Sequence, residues 1–275
     1  MAIAHELPRW DLTPYFPSVT SAEYAKAKSQ AESRLATCES LLGQGEQSAT
    51  NASSEVASLL LQNVEALNTA SDDVELLATF VSITVAADSF DEDALAAESA
   101  LQGVLIRYRK VHTRFTAWVG TLSVDELISV EPRLEPFRFP LHKSHTSATR
   151  LMSPAEESLA ADLSETGSDA WSRLYDNFTS QIEVQVGDEV MPMSRCRNLA
   201  YEADASRRRA GYEAELAAWR KHDLPIAAAM NSIKGSANLL AKRRGWESQL
   251  DVTLFNCNMD RESLEAMLGA AKDSF

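Results

Sequence analysis

The chain has 275 residues, of which 45% are hydrophobic and 24% are charged, a globular composition that excludes a disordered or collagen-like protein. Its 40 acidic and 26 basic residues give a net charge of −14, which disfavours binding to nucleic acid or to anionic lipid. With 10 Gly and 9 Pro, the chain contains few helix breakers and favours long helices. The charge is local, because residues 1–100 hold 16 acidic and 4 basic residues, whereas residues 201–275 hold 11 of each.

Cysteine usage and the termini predict a cytoplasmic protein. Three cysteines lie far apart in the sequence without a Cys-x-x-Cys pair, namely Cys38, Cys196 and Cys257. They are typical of reduced thiols in the cytosol. The first eleven residues lack the basic and then apolar order of a secretion signal, and we find no apolar run near the length of about 18 residues that crosses a membrane. We therefore expect no membrane and no nucleic acid among the partners.

The N-terminal part predicts an extended arm followed by helices. Prolines alternate with aromatic residues before Ser21, which is too proline-dense for a helix and predicts an arm packed on the body. From Ser21 the apolar spacing becomes helical, and Gly43 and Gly45 are expected to end this helix. Further helices are predicted from apolar residues at helical spacing, over 56–67, 74–85 and 101–119. Together these helices predict an antiparallel bundle with an acidic surface.

A connecting region follows, in which the pattern changes twice. Three prolines and two phenylalanines between Glu131 and Pro140 interrupt the helical pattern. The segment Ser153-Pro154-Ala155-Glu156 combines an N-cap serine, a proline at the first helical position and a glutamate three residues later, which is typical of a capping box. After Ile182 the apolar period falls to two residues, and Gly187-Asp188 supplies a turn, so we predict a β-hairpin.

Beyond the hairpin the pattern is helical again. Asp204 is a predicted N-cap, and Pro225 either kinks that helix or starts the next one. The segment Lys242-Arg243-Arg244-Gly245 is typical of a helix end, because basic residues in the last turn and a glycine after it are both favoured there. A last helix is predicted to begin near Asp260 and to run to Phe275.

The histidines do not make a recognisable catalytic or metal site. His142 and His145 would hold a metal from one face of a helix, but their flanks favour a loop and no third ligand stands nearby. His112 falls on the apolar face of its helix and is predicted to be a core histidine. His5-Glu6 begins a zinc-peptidase motif, but Arg9 stands where that motif requires its second histidine.

Other candidate groups have structural explanations. Arg207-Arg208-Arg209 and Lys242-Arg243-Arg244 would hold phosphates, but they are more typical of charges at helix ends. Arginines on both sides of Cys196 would lower its pKa, although a small buried helix residue is the more usual role. The methionines at helical and strand positions are predicted to fill the core, namely Met191, Met193 and Met230. We assign no catalytic, cofactor-binding or metal-binding residue.

Several segments nevertheless stand in a specific order and spacing. They are Trp10–Leu12, Tyr15–Pro17, Leu151–Glu157, Asp162–Gly167, Ala170–Tyr175, Asn198–Leu199, Asp204–Glu215, Leu224–Gly235 and Lys242–Trp246. In this order they resemble the N-terminal portion of the oligoendopeptidase F family, the thimet- and neurolysin-like zinc metallopeptidases that cleave short peptides in the cytoplasm.

The resemblance implies a mainly α fold in three parts. These are an acidic antiparallel helical N-terminal domain (1–130), a connecting region with helices and a small β-hairpin (131–193), and the first helices of an unfinished catalytic domain (194–275). In that family a His-Glu-x-x-His helix and a later glutamate hold zinc, and the motif glutamate activates water. No segment of this sequence matches those elements, so no site residue is carried over and no zinc is expected on this chain.

Three interpretations follow from the resemblance. The chain is the N-terminal part of a zinc-dependent oligoendopeptidase for short peptides and is inactive alone, which we favour because the last helix stops in mid-pattern at Phe275. Alternatively, it is a non-catalytic helical module that binds peptides along one wall of the substrate channel. In the third interpretation it is a scaffold that pairs with a separately supplied C-terminal catalytic half.

Overall fold

The computed structural model describes residues 10–48 and 50–275, and the chain divides into two compact units, 1–162 and 163–275. The His5-Glu6 dipeptide lies outside the described residues. The described residues are mainly α-helical, with a two-stranded antiparallel hairpin, which confirms the predicted fold class. In those two ranges, no helix is both long and apolar enough to cross a membrane.

Long helices build the first unit. Its helices are α1 (Ala22–Gln47), α2 (Ser54–Ala87), α3 (Glu92–Val119), α4 (Val124–Val130), α5 (Arg138–Ala148) and α6 (Pro154–Ser164), the last of which continues into the second unit. A short 3₁₀ helix, Pro132–Phe137, precedes α5. Side-chain oxygens of Ser21, Ser53 and Asp91 accept a backbone N–H in the first turn of α1, α2 and α3, so each long helix begins at a polar N-cap.

Helices α1 and α2 are antiparallel and share a buried polar contact. The Nδ2 atom of Asn63 donates to the carbonyl oxygens of Leu41 (3.3 Å) and Leu59 (2.9 Å). Further along the pair, Arg34 of α1 forms an ion pair with Asp73 of α2. Both N–H groups of the Asn63 amide are therefore satisfied, which allows this buried polar side chain to lie in an apolar core.

The described part of the N-terminal arm packs on this bundle, as predicted. Phe16 is buried and lies edge-on to two aromatic rings, with centroid distances of 5.0 Å to Phe80 and 5.7 Å to Tyr24. Edge-to-face pairs of this kind add to the stabilisation from apolar burial. The arm is therefore held by its aromatic side chains.

Two predicted helix boundaries were wrong. Helix α1 does not end at Gly43 but continues to Gln47, with Ser48 as its C-cap. The two helices predicted over 56–67 and 74–85 are the single helix α2. The buried Ala70 joins their apolar faces, because it follows Leu67 by three residues and precedes Val74 by four, and its small side chain gave only a weak apolar signal.

The second unit surrounds the hairpin. Its helices are α7 (Ser168–Ser180), α8 (Met193–Asn198), α9 (Ala205–Lys221), α10 (Asp223–Arg243), α11 (Gln249–Asn256) and α12 (Arg261–Asp273), and its strands are β1 (Glu183–Val186) and β2 (Glu189–Pro192). Val184 pairs with Met191 across the strands, and both side chains are buried. Gly187 has a φ of 61° in the predicted turn, a conformation that glycine adopts without strain. Helix α11 was not predicted.

Several predicted helix ends are confirmed. In the capping box, Ser153 N donates to Glu156 Oε2 at 3.1 Å and Glu156 N donates to Ser153 Oγ at 3.4 Å. Asp204 and Asp260 cap α9 and α12, respectively. Pro225 starts a new helix, since it lies in the first turn of α10, where its missing N–H costs no helical hydrogen bond.

Two glycines of α1 give opposite predictions. A Cβ at Gly45 would lie 2.8 Å from ring atoms of Trp118, whereas a Cβ at Gly43 would have no atom within 4 Å. We expect Gly45→Ala to lower the free energy of unfolding by about 1–3 kcal/mol through overpacking. The control Gly43→Ala should raise it by about 0.5–1 kcal/mol, because alanine loses less backbone entropy. Urea unfolding followed by circular dichroism measures both, and equal effects would contradict the tight contact.

Candidate functional site

A cavity of about 640 Å³ lies in the first unit, between α3 and two other parts of that unit. One side is formed by charged residues of α1, and the other by the segment that leads from the end of α5 into α6. This volume falls in the usual range for small-molecule sites, about 300–1,000 Å³. We call it the α3 cavity.

Two bidentate ion pairs border the α3 cavity. The Nε and Nη2 atoms of Arg107 each lie 2.7 Å from a carboxylate oxygen of Glu39. Arg114 binds Glu46 in the same way, at 3.0 Å and 2.6 Å. Each partner is seven residues further along its helix, so α1 and α3 run in the same direction and in register. The hydrogen bonds from Arg107 lower the pKa of Glu39.

The rest of the cavity wall combines one further cation with a buried carboxylate. Lys110, between the two arginines on α3, lies 2.5 Å from the carboxylate of Asp162. Glu157 is buried, and its Oε1 accepts a hydrogen bond of 3.1 Å from the backbone N–H of Met152. The remaining surface combines apolar side chains, among them Val111 and Leu151, with hydroxyl-bearing residues.

The predicted loop histidines lie on a helix instead. His142 and His145 belong to α5, because Pro140 falls in the first turn of that helix and is tolerated there. His142 Nε2 lies 3.2 Å from Asp125 Oδ1, and this hydrogen bond lowers the pKa of Asp125. His112, predicted to be a core histidine, keeps part of its surface exposed on α3, and desolvation by the surrounding protein lowers its pKa.

The described residues do not fit a zinc site. Over 10–48 and 50–275, no three or more His, Cys, Asp or Glu side chains are grouped so that they would hold a metal ion. Zinc in proteins is held by three or four such ligands. The pair His142 and His145 therefore lacks the further ligands that a metal would need.

Cys196 is a structural thiol. Its Sγ atom donates to the carbonyl oxygen of Gly211 at 3.3 Å, and the side chain is buried. Burial raises the pKa of Cys196, and the nearby Glu215 raises it further, which outweighs the opposite effect of Arg197. The thiol therefore stays protonated and is a poor nucleophile at neutral pH.

The basic cluster on α9 is engaged locally. Arg207 lies 3.2 Å from the Glu189 carboxylate, and Arg209 lies 3.1 Å from Glu213 one turn along the helix. Arg208 donates to the backbone carbonyls of Glu202 and Ala203, which precede α9. Such contacts are those of helix-end charges rather than of a phosphate site.

The other basic cluster and the methionines occupy ordinary positions. The segment Lys242-Arg243-Arg244 lies at the C-terminal end of α10, and Gly245 follows with a φ of 71°, as predicted. Met191 and Met193 are buried in the core beside the hairpin. The prediction for Met230 was wrong, because 48% of this residue is exposed.

Comparisons with known proteins agree with this architecture. Residues 122–183 match a family model described as oligopeptidase F. None of the curated proteins matches the sequence. The crystal structure of oligoendopeptidase-F from Enterococcus faecium is similar, with a TM-score of 0.74 and 18% identity over 86% of this chain and 47% of that chain. A candidate peptidase from Chlamydophila abortus gives a TM-score of 0.56 and 16% identity over 96% of this chain and 44% of that chain.

The fold is therefore that of the N-terminal region of these peptidases. Together with the family-model match, it confirms the resemblance to the N-terminal portion of the oligoendopeptidase F family. The chain spans less than half the length of either solved structure.

The α3 cavity was not predicted from the sequence. A signal was present, because Glu39 and Glu46 share the seven-residue spacing of Arg107 and Arg114. Equal spacings of opposite charge on two helices are expected when the helices pair in parallel. This equal spacing predicts a contact between the two helices only if α1 and α3 are parallel, and the sequence alone does not give their relative direction.

The ion pair between Glu39 and Arg107 predicts a pH-dependent contribution to stability. Because the pKa of Glu39 is lowered on folding, the pair stabilises the fold above the unfolded pKa of about 4.3 and loses that effect as the pH falls through the folded pKa. We expect Glu39→Gln to cost less than about 1 kcal/mol at pH 7, since the pair is partly exposed.

The cost of Glu39→Gln should shrink towards zero in acid, below the folded pKa of Glu39. Urea unfolding from pH 7 to pH 3 measures this cost. The control is Glu75→Gln on the exposed face of α2, where the described residues provide no ion pair. A cost for Glu39→Gln that is constant over this pH range would contradict the prediction.

Thiol reactivity should separate the three cysteines. Burial raises the pKa of Cys38 as it does that of Cys196, whereas Cys257 is exposed. We expect a thiol reagent at pH 8 to modify Cys257 quickly and the other two at a rate set by unfolding. Mass spectrometry of the labelled peptides measures the rates. Fast labelling of Cys196 would show instead that its flanking arginines activate the thiol.

Proposed function

We propose that this chain is the N-terminal part of a zinc-dependent oligoendopeptidase that hydrolyses short peptides in the cytoplasm. The match of residues 122–183 to the oligopeptidase F model carries this proposal. The shared fold with the first-named crystal structure, over 47% of that chain, supports it. In this proposal residues 1–130 are the N-terminal domain, residues 131–193 connect it, and residues 194–275 begin the catalytic domain.

The side-chain burial in the second unit supports the assignment of its last helices to a larger domain. Helix α12 has no buried residue, and Met267 and Leu268 on it are 60% and 51% exposed. Helix α10 buries only Ala229 and Ala241 along its 21 residues. Helices with exposed apolar faces are expected to pack against further structure.

The zinc ligands would come from outside these residues. Because the described residues do not fit a zinc site and the sequence has no His-Glu-x-x-His segment, the proposal assigns no catalytic residue to this chain. In this proposal the chain supports the catalytic half and shapes its substrate channel. In this proposal zinc and short peptides bind to the complete enzyme, including one whose catalytic half is supplied separately.

A second candidate function is a helical module that binds peptides without cleaving them. The α3 cavity favours it, because a concave site with paired charges and an apolar floor is typical of ligand binding. Peptide binding by the chain without hydrolysis, even after a catalytic half is added, would select this candidate.

The purified chain should hold no zinc and cleave no peptide, because it lacks the metal ligands and the general base. Zinc content by atomic absorption and hydrolysis of a quenched fluorescent pentapeptide measure this. Chelator-sensitive hydrolysis by the chain alone would contradict the proposal.

Complementation extends this test. Nucleotides beyond the codon of Phe275 should encode a His-Glu-x-x-His helix in one of the three frames, and adding that product should restore hydrolysis. Leu268→Glu on α12 should then abolish restoration, because it places a charge on the apolar face that the proposal buries. The control is Glu265→Gln on an exposed position of the same helix. Unrelated downstream sequence would instead favour the binding module.

A further inference from the structure

The α3 cavity has the features of a binding site for one chemical group. We propose that it binds a monocarboxylate with an apolar body, held at its charged end by Lys110 and Arg114. The C-terminal residue of a short peptide and a free aliphatic acid both present this chemistry. The proposal does not depend on the proposed function, because it concerns equilibrium binding to this chain alone.

Arg114 has an unused hydrogen-bonding edge. Its contacts to Glu46 occupy Nε and one N–H of Nη2, and Nη1 makes no hydrogen bond among the described residues. A guanidinium has five N–H donors in a planar fork, so the edge formed by Nη1 and Nη2 can bind a second carboxylate with two parallel hydrogen bonds. In Arg107 the same edge is partly used, because its Nη1 donates to the carbonyl oxygen of Glu32.

Lys110 supplies the second cation. It precedes Arg114 by four residues on α3, which places both side chains on one face of the helix, and both line the cavity. Its ammonium group has three N–H donors, and the structure gives it one partner, Asp162. The cavity therefore contains more donors than its own carboxylates use.

The charge balance limits the ligand to a single negative charge. Three cations line the cavity, Arg107, Lys110 and Arg114, and they face three lining carboxylates, Glu39, Glu46 and Glu157, while a fourth carboxylate, that of Asp162, contacts Lys110. A dianion such as a phosphate ester would meet these carboxylates with twice the repulsion that a carboxylate meets. A monoanion that uses the spare donors is the better match.

The remaining wall fits an apolar group. Val111, Leu151 and Met152 lie on the cavity surface with the methyl group of Ala117. Burying a leucine-sized group against such a wall is favourable, because apolar surface leaves water. A volume of about 640 Å³ holds a ligand of one or two amino-acid residues together with water.

Isothermal titration calorimetry with the full chain tests the proposal. The probes are N-acetyl-leucine, which mimics a peptide C-terminus, and octanoate, which is a free aliphatic acid. N-acetyl-leucinamide is the matched control, because it keeps the apolar body and removes the charge. We expect a dissociation constant of about 1 mM or below for at least one acid and at least tenfold weaker binding of the amide.

Four variants locate the ligand. Arg114→Gln should weaken binding about tenfold or more, and Arg114→Lys should restore part of the affinity, because it keeps the charge without the fork. Ala117 lines the cavity and is an exposed residue of α3. Ala117→Phe should therefore abolish binding, because the larger side chain fills the cavity. Arg133→Gln, which removes an exposed arginine that pairs with Glu131 and does not line the cavity, should bind as the unmodified chain does. Thermal unfolding of each variant verifies the fold.

The two acids distinguish the source of the ligand. Tighter binding of N-acetyl-leucine favours a peptide C-terminus, and tighter binding of octanoate favours a free aliphatic acid; each supports the proposal. Three results would overturn it: no saturable binding of either acid, equal binding of acid and amide, or unchanged binding in folded Ala117→Phe.

Discussion

The parallel, in-register pairing of α1 and α3 is the constraint on which the first unit depends. Their carboxylates and guanidiniums repeat every seven residues, so a shift of one helix by a single turn would separate Glu39 from Arg107 and Glu46 from Arg114. Partly exposed ion pairs add little stability. Their effect is to select one register among several that would bury similar apolar area. The close approach of Gly45 to Trp118 selects the same register by shape.

The second unit is organised on a smaller scale. The inward side chains of the hairpin, such as Val184 and Met191, form its core with α8 and α9. Cys196 contacts the backbone of α9 at Gly211. A Cβ at Gly211 would lie 3.0 Å from the Cβ of Leu199, which is closer than most side-chain contacts. Most apolar residues of α10 and α12 take no part in this core. The unit thus combines a compact hairpin core with helices whose apolar faces remain exposed.

The sequence predicted local features well and long-range ones poorly. The capping box at Ser153, the hairpin turn at Gly187 and the helix start at Pro225 each depend on a few adjacent residues, and all three were correct. Gly43 failed as a predicted helix end because tertiary packing continues the helix past it. The α3 cavity could not be predicted, because its walls come from segments more than a hundred residues apart. Their meeting depends on helix direction, which no single segment encodes.

The continuity of α2 has a consequence for how the first unit comes apart. At 34 residues it extends about 50 Å, and its buried residues run from Val56 to Val81 without a gap at the polar segment 68–73. Because one uninterrupted helix contacts both α1 and α3, neither can detach without exposing part of it. Amide hydrogens in the middle of α2 would then exchange with solvent only when the whole unit opens, which makes this helix the centre of a single cooperative folding unit.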